Sequence, residues 1–154
     1  MTVSRKLVVN SKRQIAELIH GDVVIKKYVI STASKGLGCE EGSYCTPAGK
    51  LRVAQKIGDE LPIGAVIKGR VPTGEIYSIC THKPDEDFVL TRLLWLEGTE
   101  PHNTNTRERF IYLHGTNQEH LLGRPASHGC IRFCNLDIIE VYNALDEGDI
   151  VEIV

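Results

Sequence analysis

The chain lacks any apolar run approaching the ~18 residues that a membrane-spanning helix needs. Its formal net charge of −2 and pI near 6.3 leave it without the basic surface typical of nucleic-acid-binding proteins. No repeat, low-complexity tract or linker divides the 154 residues. We therefore expect one domain over residues 1–154, with no membrane span and no nucleic acid as partner. A hydrophobic content of 42% is enough for a core.

Cysteine is also too sparse for a disulfide-stapled secreted fold. The five cysteines are an odd number and include no Cys-x-x-Cys pair. Residues 1–10 become polar too quickly for a secretory leader. As it stands, the sequence predicts a cytoplasmic protein, or a periplasmic or cell-wall protein if a leader has been removed. The cysteines are Cys39, Cys45, Cys80, Cys130 and Cys134.

Short apolar segments separated by turn residues predict a mainly β protein, of the β-rich α+β class. A glycine-rich loop over 31–48 and a polar loop over 97–108 connect some of them, Gly21-Asp22 suits a tight hairpin, and 71–74 reads as a turn. The run at 88–96 is too apolar for simple alternation and predicts a strand buried on both faces. Residues 62–70 are predicted as a turn-and-strand unit, and the predicted strands are 6–9, 14–19, 23–30, 51–57, 88–96, 110–113 and 150–154.

One helix is predicted near the C-terminus, where apolar residues recur at helical spacing from Ile138 to Leu145. Asp137 is predicted as its N-cap, with Glu140 completing a capping box. Gly148 is predicted to close it.

Residues 114–132 carry the strongest chemical signal. Cys130 follows Gly129, three imidazoles precede it at His114, His120 and His128, and a guanidinium follows at 132. A thiol with a pKa near 8.5 is only about 3% ionised at pH 7, so a nucleophilic cysteine needs a base. A glycine beside it allows a sharp turn that presents backbone N–H groups to an oxyanion. The pattern predicts Cys130 as a catalytic nucleophile rather than an inert buried thiol.

These residues also carry a family resemblance. His-Gly-Thr-Asn at 114–117 and Ser-His-Gly-Cys-Ile-Arg at 127–132, with Asn135 and Asp137 beyond and Thr-Pro-Ala-Gly at 46–49, resemble the signature of the L,D-transpeptidase (YkuD-type) catalytic domain. The resemblance implies a β-sandwich of mixed sheets with one capped helix near the C-terminus. It also implies acyl transfer on peptidoglycan tetrapeptide stems, in which a cysteine releases terminal D-alanine from the L-centre of diaminopimelate.

Carried onto this sequence, the resemblance gives each residue a role. Cys130 would be the nucleophile and His114 its base, with the Gly115 carbonyl orienting the imidazole. His128 would line the pocket, and N–H groups of Gly129 and Cys130 would form the oxyanion hole. Arg132 would either fix the loop or pair with a substrate carboxylate. Ser127, Thr116 and Asn117 are further substrate-binding candidates, and no metal or cofactor is implied.

The acceptor stays open between water and an amine. Water would make the protein an L,D-carboxypeptidase, which suits a protein without a leader, and an amine would make it a transpeptidase that forms 3–3 cross-links. Only twelve residues separate His114 from Ser127, which predicts a small lid.

Three other classes compete with this interpretation. A zinc-dependent hydrolase could use ligand types from the His/Cys cluster, although their spacing matches no zinc finger. A peptidoglycan-stem binding module could keep the fold without turnover. A cysteine hydrolase of another kind is the third class. Papain-like enzymes, however, place the cysteine before the histidine, which is the reverse of the order here. The zinc candidates are His114, His120, His128, Cys130 and Cys134.

Overall fold

The computed structural model describes residues 4–154, so the first three residues of the predicted domain lie outside it. It contains ten strands, one α-helix and two short 3-10 helices at Pro101–Asn103 and Glu119–Leu121. The mainly β fold with one helix near the C-terminus is confirmed. The elements are β1 (Arg5–Asn10), β2 (Ile15–His20), β3 (Val23–Ser31), β4 (Gly49–Ile57), β5 (Ala65–Lys68), β6 (Val71–Ile76), β7 (Val89–Gly98), β8 (Tyr112–Thr116), β9 (Ile131–Phe133), α1 (Asn135–Ala144) and β10 (Ile150–Ile153).

All ten strands join in one hydrogen-bonded sheet in the order β4-β10-β1-β2-β3-β9-β8-β7-β5-β6. The sheet is mixed because β1 pairs with β10, and β8 with β9, in parallel. A further pairing between β4 and β7 closes the sheet on itself. The predicted mixed sheets are therefore continuous with one another, and the β5–β6 hairpin projects beyond the closure.

The main core lies between the inner face of this closed sheet and α1, which packs on β7 and β8. Alternate strand residues point into it, and β7 contributes a nearly continuous buried run, as its apolar sequence predicts. A smaller cluster around Ile67, Leu93 and Tyr112 lies on the other side of β7 and β8, and Cys130 packs against it.

A predicted turn and a predicted strand start are wrong. Residues 71–74 are not a turn but the start of β6, and the turn lies at 69–70. β6 tolerates Pro72 and Gly74 because it is an exposed edge strand, where a missing N–H breaks no ladder. The strand predicted over 110–113 begins instead at Tyr112 and runs through His114, which therefore lies at the centre of β8.

The predicted helix exists, but both of its predicted caps are wrong. The N-cap position is Cys134, and Asp137 lies inside the first turn. The side chain of Glu119 replaces a local cap, because its Oε2 accepts a hydrogen bond from the Asn135 N–H at 2.8 Å. The helix ends at Ala144, so Gly148, with φ +94°, belongs to the turn before β10.

Candidate active site

The site lies where β8 and β9 run side by side. His114 pairs with Arg132 in the parallel register, one residue after Leu113 pairs with Ile131. Because side chains alternate along a strand, Leu113 and Ile131 point into the main core while His114 and Arg132 point to the opposite face. Cys130, just before β9, faces the same side and packs near Tyr112.

His114 is held by its own strand. Only 2% of it is exposed, and its Nδ1 lies 2.6 Å from the Gly115 carbonyl oxygen, as the resemblance predicts. A carbonyl cannot donate, so Nδ1 carries the hydrogen. Burial lowers the pKa of His114, and the nearby Asp87 carboxylate opposes this only in part. The imidazole is therefore neutral at pH 7, with its lone pair on Nε2.

The glycine at 115 is required by close packing. A Cβ at this position would lie 2.5 Å from Asn135 Oδ1 and 2.6 Å from the Leu90 carbonyl oxygen. Asn135 donates through Nδ2 to the Thr116 carbonyl at 2.8 Å, and it accepts from Thr91 Oγ1 at 2.6 Å. The end of β8 is thus fixed from α1 and β7 together.

Thr91 marks a break in β7 directly opposite the histidine. Leu90 pairs with Gly115 and Leu93 with His114, so two residues of β7 face no partner on β8. Thr91 is fully buried with φ +74°, a rare conformation for a β-branched residue. Strain of this kind persists only where neighbouring contacts enforce it, and it is concentrated at functional sites.

The Cys130 thiol is neutral in this structure. Its sulfur donates to the Phe110 carbonyl oxygen at 3.4 Å and accepts from the Tyr112 N–H at 3.3 Å. Burial raises the pKa of Cys130 to about 12, although the Tyr112 N–H acts in the other direction. Within residues 4–154 no hydrogen bond joins the sulfur to an imidazole.

The turn before Cys130 is held by hydroxyl groups. Ser127 Oγ donates to the Cys130 carbonyl at 2.6 Å and accepts from the Gly129 N–H at 3.2 Å. Thr46, of the Thr-Pro-Ala-Gly element, donates to the Gly129 carbonyl at 2.9 Å. The predicted substrate-binding candidate Ser127 is thus buried within the turn, and it uses one of the two predicted oxyanion donors. The Cys130 N–H has no partner among the described residues.

Gly129 has φ +137° and is enclosed on both sides. An added Cβ would meet Ile111 Cδ1 at 3.1 Å and the Cys45 carbonyl oxygen at 3.3 Å. Glycine is needed at 129 both for its backbone conformation and for this close approach.

Of the two roles predicted for Arg132, the structure shows the loop-fixing one. The residue is 1% exposed, and its Nη1 donates to Gln118 Oε1 at 2.7 Å and Asp87 Oδ1 at 3.1 Å. Its Nε and Nη2 are buried without a partner in the part of the chain that the structure describes.

The other two substrate-binding candidates also hold the scaffold. Thr116 is fully buried at the end of β8, where its Oγ1 accepts from the Gln118 N–H at 3.0 Å. Asn117 accepts from the Phe88 N–H at 2.9 Å and donates to the Glu86 carbonyl at 2.8 Å. It therefore fastens the loop that carries Asp87.

His128 is exposed beside an open cavity of about 350 Å³ that Phe110 and Ile111 also line. Its ring lies 6.1 Å from the ring of Tyr44, edge to face. Tyr44 belongs to the glycine-rich loop of 31–48, and Arg109 fastens that loop by donating to the carbonyls of Gly38 and Cys45. His128 thus lines a pocket next to the cysteine turn, where the resemblance predicts it.

The five zinc-ligand candidates do not converge. Among residues 4–154, no three His, Cys, Asp or Glu side chains are grouped closely enough to hold a metal ion. His120 is exposed on the second 3-10 helix, and Cys134 lies at the N-cap of α1. This geometry gives the zinc-hydrolase alternative no support.

Three residues that contribute to the site carry no signal in the sequence. Thr91 has no local signal, because the residues around it do not indicate a left-handed backbone at a β-branched residue. Asp87 and Gln118 sit in ordinary polar loops, and only the fold brings them to Arg132.

Comparison with known proteins agrees with this geometry. Residues 4–153 match the family model described as the L,D-transpeptidase catalytic domain, YkuD. No curated protein matches the chain. No helix in the described part of the chain is long and apolar enough to cross a membrane.

Several solved structures share the fold. An L,D-transpeptidase from Xylanimonas cellulosilytica is 15% identical with a TM-score of 0.65, over 100% of this chain and 62% of its own. L,D-transpeptidase 3 from Mycobacterium tuberculosis, in complex with a faropenem-derived adduct, is 19% identical with a TM-score of 0.60, over 98% and 60%. An Enterococcus faecium L,D-transpeptidase is 18% identical with a TM-score of 0.63, over 99% and 50%.

The chain thus spans less than two thirds of each of these longer chains. The structural likeness establishes the fold, and the family match over 4–153 establishes the relationship. The chain belongs to the L,D-transpeptidase catalytic domain family.

Proposed function

We propose that this protein is a cysteine-dependent acyltransferase acting on peptidoglycan tetrapeptide stems. Cys130 attacks the carbonyl at the L-centre of diaminopimelate, terminal D-alanine leaves, and the stem remains as a thioester on the sulfur. The observation that carries the proposal is the neutral His114, fixed by the Gly115 carbonyl on the same face of β8–β9 as the thiol.

In this mechanism proton transfer accompanies attack. Burial keeps the thiol protonated and the imidazole neutral, so neither group is ionised beforehand. As the thiol turns away from Phe110, Nε2 of His114 takes its proton, and the protonated imidazole then donates to the leaving amine. The Cys130 N–H stabilises the tetrahedral oxyanion.

The acyl group then passes to water or to an amine. Incubating the protein with a tetrapeptide stem, with and without an added D-amino acid, separates the two. Tripeptide alone would indicate an L,D-carboxypeptidase, whereas an exchanged tetrapeptide would indicate a transpeptidase. Cys130→Ala should give neither product, and turnover by Cys130→Ala at the wild-type rate would contradict the proposal.

A peptidoglycan-stem binding module is the second candidate. The lack of a hydrogen bond between the thiol and the imidazole in the described residues favours it. Tight binding of the tetrapeptide without any product would support this alternative.

A further inference from the structure

Two strained residues meet beside the cysteine. Arg70 has φ +66° and Phe110 has φ +58°, and neither is a residue type that readily adopts a left-handed backbone. Such a backbone is unfavourable for side chains of these types and persists only where neighbouring contacts enforce it. The Arg70 guanidinium carbon lies 4.7 Å from the centre of the Phe110 ring, so the two strained backbones bring these side chains together.

The guanidinium of Arg70 is stacked but not neutralised. It lies over Trp95 at 5.1 Å as well as over Phe110, and the two rings are themselves neighbours with centroids 6.1 Å apart, so they cover one side of the guanidinium. Its Nη1 donates to the Tyr112 hydroxyl at 3.2 Å. No carboxylate in residues 4–154 lies within salt-bridge distance of it, which leaves donors on its edges available.

Phe110 and Tyr112, which both contact the Arg70 guanidinium, also hold the thiol. The Phe110 carbonyl accepts from Cys130 Sγ, and the Tyr112 N–H donates to it. Arg70 is therefore connected to the reacting sulfur through the residues that position that sulfur.

The two arginines that act on the Cys130 thiol, Arg109 and Arg132, are already engaged, and so is Arg107 beside Trp95. Arg109 donates to the carbonyls of Gly38 and Cys45. Arg132 is buried against Asp87. Arg107 also stacks on Trp95, at 4.8 Å, but pairs with Glu97. Arg70 alone among these four has neither a carboxylate nor a backbone carbonyl as a hydrogen-bond partner within the described residues.

We propose that Arg70 is a specificity residue that binds a carboxylate of the stem peptide next to the scissile bond. A planar guanidinium stacked on two neighbouring rings offers its edge donors to a carboxylate in a fixed orientation. The stem carries two such groups near the reacting carbonyl, the terminal D-alanine carboxylate and the side-chain carboxylate of diaminopimelate. This inference rests on the proposed function and adds to it the group that is recognised.

The test compares Arg70→Met with wild type on three peptides. These are the free tetrapeptide, its terminal D-alanine amide, and the amide of the diaminopimelate side-chain carboxylate. Arg70→Met should lower kcat/KM for the free peptide about 10- to 100-fold, and it should have little effect on the one amide that lacks the recognised carboxylate. The amide on which Arg70→Met has little effect therefore identifies the carboxylate that Arg70 binds. Arg70→Lys should recover part of the loss, because it keeps the charge but not the planar fork.

Arg107→Met is the matched control, since it removes a guanidinium from the same tryptophan and should leave the preference among the three peptides unchanged. An equal loss on all three peptides would show that Arg70 only ties the β5–β6 hairpin to the body, and would overturn the inference. The affinities of the three peptides for Cys130→Ala, measured with and without Arg70→Met, report the same preference among the peptides without turnover. A wild-type protein that gives no product would contradict the proposed function, while the binding comparison still decides the role of Arg70.

Discussion

At the scale of the residue, burial sets the protonation of both reacting groups. It lowers the pKa of His114 and raises the pKa of Cys130 to about 12, so the resting pair is a neutral imidazole and a neutral thiol. Many cysteine enzymes rest instead as a thiolate beside an imidazolium. The difference has measurable consequences for how the rate depends on pH.

Alkylation of Cys130 by iodoacetamide should keep rising with pH up to at least about 10 and show no plateau near neutrality, because only the thiolate reacts. The measurement follows modification of Cys130 by mass spectrometry of its peptide, with exposed Cys80 as internal control. A plateau below pH 7 would mean an ion pair and would contradict the neutral resting state.

The acylation rate should depend on pH only on the acid side. The base works while His114 is unprotonated, and its pKa is lowered, so the acylation rate should fall only as pH drops below about 6.5. Asp87 raises the pKa of His114, so Asp87→Asn should move this limb to still lower pH. A limb that stays in place or moves upward in a folded Asp87→Asn protein would count against this electrostatic coupling.

At the scale of the element, the break in β7 positions β8. Thr91 Oγ1 donates to Asn135 and accepts from the Gly64 N–H at 3.0 Å, and Asn135 packs against Gly115. Thr91→Val removes both hydrogen bonds from a fully buried site and should lower the free energy of unfolding by about 1–3 kcal/mol. It should also slow acylation, through displacement of His114.

Thr91→Ser is the conservative control, because it keeps the hydroxyl and should retain most of the stability and rate. Denaturant unfolding and acylation kinetics on both variants check this. If Val and Ser variants acylate at the same rate, Thr91 supports the strand but does not position the histidine.

The sequence predicted most elements of the fold but not their exact limits. Hydrophobic periodicity identified α1 and the buried β7, and local motifs identified the cysteine turn. It misplaced the start of β8 because 110 and 111 are as apolar as the strand itself. It also missed the Glu119 cap of α1, the Thr91 bulge and the Asp87–Arg132 pair, which all join segments distant in the chain. Such contacts depend on tertiary arrangement and leave no local pattern.

At the scale of the whole molecule, closure of the sheet through β4 and β7 makes the site depend on the entire chain. We therefore expect residues 4–154 to unfold in one cooperative step. Trp95 fluorescence reports the site face and far-ultraviolet circular dichroism reports the sheet, and their transitions should coincide.

Leu94→Ala should shift both transitions together, lowering stability by about 2–5 kcal/mol, since this side chain is fully buried. Val23→Ala is the control, because Val23 is 65% exposed and its truncation should change little. Separate transitions for the two probes would instead indicate more than one folding unit.

Intact-mass spectrometry with peptide mapping, after incubation with the penem faropenem, tests the central claim most directly. The strained lactam carbonyl of a penem stands in for the scissile carbonyl of the stem. We predict one adduct per chain on Cys130, absent in Cys130→Ala and formed much more slowly in His114→Ala. No adduct, or an adduct on one of the other four cysteines, would contradict the account.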